Sequence, residues 1–526
     1  MKKITFLLTS FIFTILFAGI AASGELCRTK NHNMTSLTQK SFLPSVASDD
    51  SVGITRTIDV AKQTRQFPAL VAYRNTSLQK APAPVIAEVS DKALGRSKVT
   101  RCWLNLDEMW DYRTRKYNFN FQIGVDKYRD IKEKHRETWT WESESNVHFY
   151  DYLKAFNDHS DEIMLTIRRY ERDILDKKLP VTMEDWKMIF KEGLKHYKKL
   201  YPKIRYVEVC NEPELKGFAG TTDDQYYLFY KLGYEAVNEV NNELELTGNN
   251  RILVGGPVST DSFLRRLDDF FEFYSKDQSP DKKMDFVSWH EYHVKISETV
   301  NRGKDIKNLL SKHGLPTDVP MFISEHDPYH FSEDKPEYHF ANAAGLVKTL
   351  YYSSIYSPDI MIMPWVLYHN SKLQTRFMWF DGPNEPDTKA NEIHMLPIGA
   401  SMQFLTMHKG QEIKVDNSID NDEIVLASVQ KSKVVIEAVN YADPRAVKLT
   451  IQNLQKIFPD LKNGKLHVVK YLIDSHHSNC LTNPEYKGGI EKVEDLWLKT
   501  KKGQIELKQE KLEKNGLVLW ELIQEK

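Results

Sequence analysis

Tyr206-Val207-Glu208-Val209-Cys210-Asn211-Glu212-Pro213 is a short, β-branched apolar run that closes on an acid. Runs of this kind fill buried strands. Met321-Phe322-Ile323-Ser324-Glu325-His326-Asp327 has the same form and also closes on a glutamate. Working outward, the texture from Val99 onward alternates between such runs and amphipathic segments. Strands are expected at Thr100–Leu106, Glu162–Arg168, Arg205–Val209, Arg251–Gly255, Asp285–His290, Val319–Ser324 and Ile360–Val366. Helical patterns lie between them over Met183–Leu200, Asp223–Asn242, Ser262–Tyr274 and Glu337–Tyr352, with Asp223-Asp224 and Asp261 as caps of two.

This alternation implies parallel strands joined by helical crossovers. Seven strands are countable, so the second of an eight-fold set is expected inside the polar stretch Tyr117–Ser145. An open doubly wound sheet is the alternative, but no glycine-rich turn follows the first strand. The expected fold is a (β/α)8 TIM barrel over residues 98–409 with an accessory β-sandwich over 410–526. In the sandwich, Glu423–Gln430, Val434–Tyr441, Ala446–Ile451, Leu466–Ile473 and Leu517–Leu522 read as strands. Residues 24–97 are polar and loop-rich; their one strand candidate, near Ile54–Val60, is expected partly to join the sandwich.

The chain has 526 residues, 41% hydrophobic and 28% charged, which is a globular composition. Its formal net charge of -1 gives no basic face for a nucleic-acid partner. Lys2 and Lys3, the apolar stretch Ile4–Ala22 and the small residues Ala21-Ala22-Ser23-Gly24 read as a signal peptide over 1–23. That reading sends the protein to the periplasm, cell surface or medium; a retained signal anchor is the alternative. Cys27 follows a poor lipid-attachment box. Cys102 and Cys210 lie in strand-like runs and are expected as buried thiols, and no cysteine–histidine spacing suggests a metal.

Glu212 and Glu325 carry the chemistry. They close the fourth and seventh strands, on opposite sides of a barrel mouth, where strand-end side chains face outward. Two carboxylates facing one sugar are the minimum for cleaving a glycosidic bond, so a retaining glycosidase that needs no cofactor is expected. Asn211 stands beside the first acid, placed to bond a sugar hydroxyl. The tripeptide recurs as Asn384-Glu385-Pro386 in a plain loop, so the strand before it makes the difference. On the sixth strand His290 and Tyr292 share a face and one of them is expected to hydrogen-bond Glu325. A metal site from His290, His293, His326 and His330 is the rival reading, but its spacing fits poorly. Trp365 and Trp103 are candidate sugar-binding residues, the former as a platform. Arg101, Asn105, Asp107, Arg168 and Arg169 are weaker candidates, and Asp474-Ser475-His476-His477-Ser478 reads as structural.

Asn211-Glu212-Pro213, Ser324-Glu325 and Ser288-Trp289-His290-Glu291-Tyr292 together resemble clan A of the glycoside hydrolases. With Gly255-Gly256-Pro257 and Tyr471–Asn479, the resemblance narrows to family 39, the β-xylosidase and α-L-iduronidase family, from about Val99 to the C-terminus. It implies double displacement with Glu212 as general acid/base, Glu325 as nucleophile and Asn211 at the sugar 2-position. Three residues depart from the family's habit: Cys210 and His326 stand where tryptophan is frequent, and Trp103 where a first-strand histidine touches the sugar. A carbohydrate-binding protein that no longer hydrolyses is the alternative these departures raise.

Overall fold

The computed structural model describes residues 53–76, 83–123, 147–260, 262–292, 295–329, 335–368, 378–380, 393–459, 461, 464–483, 486 and 489–524. The signal segment, Cys27, Asp261, His293, His330 and the Asn384–Pro386 loop lie outside them.

Eight parallel strands form the barrel: β1 (Tyr73–Asn75), β2 (Ser97–Asn105), β3 (Ser160–Arg168), β4 (Ile204–Val209), β5 (Leu253–Ser259), β6 (Phe286–Tyr292), β7 (Met321–Asp327) and β8 (Ile360–Pro364). Each pairs with its successor, and just past β8 the Leu367 N–H donates to the Asn75 carbonyl at 3.1 Å. The strand expected inside Tyr117–Ser145 is instead β1, ahead of all the others. Within the described part of that stretch, Lys116–Tyr117 only forms a small ladder with Trp110–Asp111. Tyr73-Arg74-Asn75 carries no apolar run: it pairs with β2, Tyr73 packs in the interior and Asn75 Nδ2 donates to the Ser324 carbonyl at 3.1 Å. Glu212 still follows the fourth strand and Glu325 lies near the end of the seventh, since the misplaced strand precedes both.

The barrel interior is layered, as period-two strands dictate. Its lower plug is apolar: Tyr73, Val99, Met164, Tyr206, Leu253, Phe286, Phe322 and Met361 or Met363. Gly255 makes room for that plug, since a Cβ there would sit 2.4 Å from the Phe286 carbonyl oxygen. Two residues further along five of the strands come Arg101, Thr166, Glu208, Ser288 and Ser324, all buried. The interior therefore turns polar before the mouth is reached. Outside, helices Met183–Leu200 and Asp223–Glu243 are joined by a ladder of ion pairs: Lys187–Glu235 at 2.8 Å, Lys191–Glu239 at 2.9 Å and Lys195–Glu243 at 2.9 Å. Thr222, not Asp223 or Asp224, caps the second of these, its N–H donating to Gln225 Oε1 at 3.1 Å.

The sandwich sets a three-stranded sheet (Ile54–Asp59, Arg445–Gln452, Ile505–Leu512) against a seven-stranded one. The latter runs Gln63–Gln66, Gln411–Ile413, Glu423–Gln430, Lys433–Asn440, Leu517–Ile523, Lys465–Ile473, Glu491–Lys499. Ile54 and Ile58 join Val447, Leu449, Val468 and Trp520 in its core. The other face of the large sheet packs Ile424, Leu426, Val435 and Leu519 into the barrel's hydrophobic cluster. Asp474 folds its own turn, accepting from the His477 Nδ1 at 2.7 Å and from the backbone N–H groups of His476 and His477. Cys102, Cys210 and Cys480 are buried, and no helix among the described residues is long and apolar enough to cross a membrane.

Candidate active site

The strand ends that carry the two glutamates are bent into unusual shapes. Cys210, Glu212 and Val258 all adopt positive φ (65°, 41° and 58°). For a β-branched residue such as Val258 that conformation is costly, and strain of this kind collects at functional sites. The bends interlock: the Glu212 N–H donates to the Val258 carbonyl at 3.0 Å.

At the centre lies Arg101 on β2, sealed from solvent. Its guanidinium donates to Glu208 Oε2, Glu325 Oε1 and Asn211 Oδ1, each at 2.6 Å, and its Nη2 lies 3.4 Å from His290 Nε2. One buried cation thus ties three strands together below the mouth. Glu208 also accepts from the Thr166 hydroxyl at 2.7 Å. Burial pushes the Glu208 carboxyl up, but Arg101, His290 and the hydroxyls of Ser324 and Thr166 together hold Glu208 below the usual glutamate range.

Above this base, His290 Nδ1 lies 2.8 Å from Glu212 Oε1 and 3.4 Å from Glu325 Oε2. Burial lowers the His290 pKa to about 4, so the ring is neutral near pH 7. Arginine has only donors, so Nε2 accepts and the one ring proton sits on Nδ1, between the two carboxylates. The Tyr292 hydroxyl donates to Glu325 Oε2 at 2.6 Å. One oxygen of Glu212, one of Glu325 and a ring nitrogen of His290 all lie within 4.8 Å of one another. Three donors this close also fit a cation, but Nδ1 offers a proton rather than a lone pair, and Arg101 already supplies positive charge beside Glu325.

Burial raises the Glu212 pKa to about 7, against the opposing charges of Arg101 and Arg168. Glu325 is raised as well, chiefly by burial, with His290, Arg101 and the Tyr292 hydroxyl pulling the other way. The pair is therefore unequal. Glu325 has two short bonds to hold its charge, from Arg101 and Tyr292, whereas the Glu212 side chain faces the His290 N–H.

The aromatic candidates occupy the adjacent wall. Trp103 lies under the Arg168 guanidinium, 4.3 Å from ring to carbon, and meets Trp365 edge-on with centroids 6.1 Å apart. Trp103 is buried by this stack, whereas Trp365 is half-exposed. Arg168 also donates to Asn105 Oδ1 at 2.7 Å. The departing residues turn away from the pair: Cys210 Sγ donates to Glu171 Oε1 at 3.6 Å, and His326 Nδ1 lies 2.8 Å from the Glu291 carbonyl oxygen. Asn105 and Arg168 thus sit one step back, and His326 takes no part in a histidine cluster with His290.

Glu208 is the residue that the sequence reading passes over. Its signal was a lone acid inside an apolar run, matched by a lone arginine in Val99–Leu104; buried charges of that kind need each other.

A family model described as glycosyl hydrolases family 39 matches residues 164–443, over half of the chain. A comparison with curated proteins found no match. Among solved structures, a glucosidase from Croceicoccus marinus superposes with a TM-score of 0.59 at 15% identity, over 90% of this chain and 100% of that one. A β-xylosidase of the same family from Caulobacter crescentus gives 0.56 at 15%, over 89% and 100%. An α-L-arabinofuranosidase from Thermotoga maritima gives 0.55 at 12%, over 89% and 99%. At those identities the superpositions speak for the fold, a (β/α)8 barrel with a second, β-rich part. On the family match, the chain belongs to glycosyl hydrolases family 39.

Proposed function

We propose that this glycoside hydrolase works by double displacement, with retention of anomeric configuration. The observation that carries the reading is the approach of the Glu212 and Glu325 carboxylates to within 4.8 Å. Retaining enzymes hold their carboxyl groups about 5–5.5 Å apart, while inverting ones leave roughly 6.5–9.5 Å for a water. In the first step Glu212 gives its proton to the leaving oxygen as Glu325 attacks the anomeric carbon, so the glycosidic C–O bond breaks and a glycosyl ester forms. In the second, Glu212 takes a proton from water, whose oxygen displaces Glu325.

The unequal surroundings of the two acids suit these roles. Glu212, with a pKa near 7, is poised to hold and release a proton at neutral pH. Glu325 keeps its charge against Arg101 and Tyr292. The Asn211 Nδ2 is buried with no partner among the described residues while its Oδ1 is fixed by Arg101, which leaves the amide N–H available for a sugar hydroxyl at the 2-position. Trp365 and Trp103 wall the sugar site.

Pentose glycosides of the β-xyloside type are the first substrates to try, given the β-xylosidase and arabinofuranosidase neighbours. Export rests on Lys2, Lys3 and the Ile4–Ala22 stretch. Aryl xylosides, arabinosides, glucosides and iduronides should be screened with wild type and Glu325→Ala. The variant should lose turnover on the aryl glycoside that wild type cleaves, and azide should restore it as a glycosyl azide of inverted configuration. Undiminished turnover by Glu325→Ala would end the proposal.

A further inference from the structure

The barrel covers only part of the outer face of the seven-stranded sheet. Beyond it one row of residues crosses five strands: Trp497 opposite His467, His467 opposite Ile523, Ile523 opposite Lys433, and Lys433 opposite Gln430. Strands in a sheet sit about 4.8 Å apart, so the four intervals span about 19 Å. By period two, this row shares its face with Val435 and Leu519, which pack on the barrel.

The two ends of the row are built differently. Trp497 is 48% exposed, the one tryptophan among the exposed large hydrophobics of the described residues. The His467 ring stacks on one side of its indole, with centroids 5.2 Å apart and planes at 20°. His467 Nε2 is held at 2.5 Å by Asp495 Oδ1, and Asp495 in turn by Lys492 at 2.6 Å. The indole is thus held on one face by a fixed imidazole while about half of its surface stays exposed. At the other end the row opens on a cavity of about 260 Å³ lined by Gln403, Thr406, Ser428, Gln430 and Lys433. Ala93 lines it too. Ala93 lies in the last turn of the helix Ala83–Leu94 that leads into β2, so the cavity lies towards the barrel end opposite the mouth.

We propose that this row is a second carbohydrate site, separate from the barrel mouth, that takes a neutral oligosaccharide of a few sugar units. A pyranose offers C–H groups on its faces and hydroxyls around its rim. An ordered indole face followed by amides, hydroxyls and an amine matches both. The charges along the row are paired, Lys433 with Glu521 and Lys492 with Asp495, and Lys409 on the cavity wall adds a single charge, which favours a mainly neutral ligand over a polyanion. A second copy of the chain fits less well. The edge strand Glu491–Lys499 carries Glu491, Lys492, Glu494, Asp495 and Lys499, and charge of that density discourages edge-to-edge pairing.

The test is native electrophoresis of the full chain through gels containing soluble arabinoxylan or soluble mixed-linkage β-glucan, in a Glu325→Ala background that leaves the matrix intact. Retardation is expected in at least one matrix, and adding Trp497→Ala should raise the dissociation constant by about tenfold or more. Gln430→Ala should raise it less. On the otherwise wild-type chain, Trp497→Ala should leave aryl-glycoside turnover and melting temperature unchanged. Equal retardation with and without Trp497, or none in either matrix, would overturn the proposal. So would a Trp497-dependent dimer in sedimentation. Because binding and turnover are read separately, an inactive barrel would still leave this site testable.

Discussion

Arg101 and Glu208 meet at 2.6 Å with both side chains shut off from solvent, one strand removed from each other inside the barrel. Because the same guanidinium holds Glu325 at 2.6 Å, Glu208 sets how much of the Arg101 charge the nucleophile candidate receives. Breaking a buried ion pair leaves an uncompensated charge, so Glu208→Ala should destabilise the fold by about 3–5 kcal/mol, read as a drop in denaturation midpoint. Glu208→Gln keeps a hydrogen-bond acceptor but removes a negative charge near Glu325. The acidic limb of the pH–activity profile should therefore move to lower pH in that variant.

Tyr292→Phe shifts the same limb the other way. The lost hydroxyl donates to Glu325 Oε2 at 2.6 Å, and a hydrogen bond to a charged group is worth about 1.5–3 kcal/mol. The turnover rate should fall roughly 10- to 100-fold. Without that donor the Glu325 carboxylate is harder to form, so the acidic limb should rise in pH.

The raised pKa of Glu212 has a stability consequence. Its folded value is about 7, against about 4.3 in an unfolded chain. Between those values the folded state keeps a proton that the unfolded state has released, so stability is full below about 4.3 and is lost as pH rises through about 7. The loss amounts to about 4 kcal/mol at most. Glu212→Gln removes the titration. Going from pH 4.5 to pH 8, its melting temperature should gain on that of wild type. In active enzyme the same proton sets the basic limb, so turnover should decline above about pH 7.

Asn211→Ala should hurt most where the sugar has a 2-hydroxyl. The Nδ2 group has no partner among the described residues, so if it makes the proposed contact to the sugar its loss should cost kcat/KM about 100-fold on the preferred aryl glycoside. The matching 2-deoxy glycoside, which lacks that contact already, should show a much smaller difference between wild type and variant.

Much of this arrangement was legible in the chain because strand periodicity and strand ends are local signals. Glu212, Glu325, His290 and Tyr292 each end or follow an apolar run, and the structure links them in a chain, Glu212 to His290, His290 to Glu325 and Glu325 to Tyr292. Tyr73–Asn75 escaped because three residues with a central arginine carry no periodicity; their strand is set by pairing with β2 and by contacts from distant strands. Glu491–Lys499 and Ile505–Leu512 escaped because they are rich in charge, which sheet interiors disfavour but solvent-facing sides tolerate. The positive-φ turns at Cys210, Glu212 and Val258 are set by contacts between β4 and β5, which no single run records.

The central claim is that Glu325 attacks the anomeric carbon directly, with Glu212 supplying and then removing a proton. Proton NMR of the first sugar released from the preferred aryl glycoside, recorded before mutarotation, tests it most directly. Direct attack predicts a product with the same anomeric configuration as the substrate. An initial product of opposite configuration would mean that water displaces the leaving group in a single step, and would contradict a nucleophilic role for Glu325.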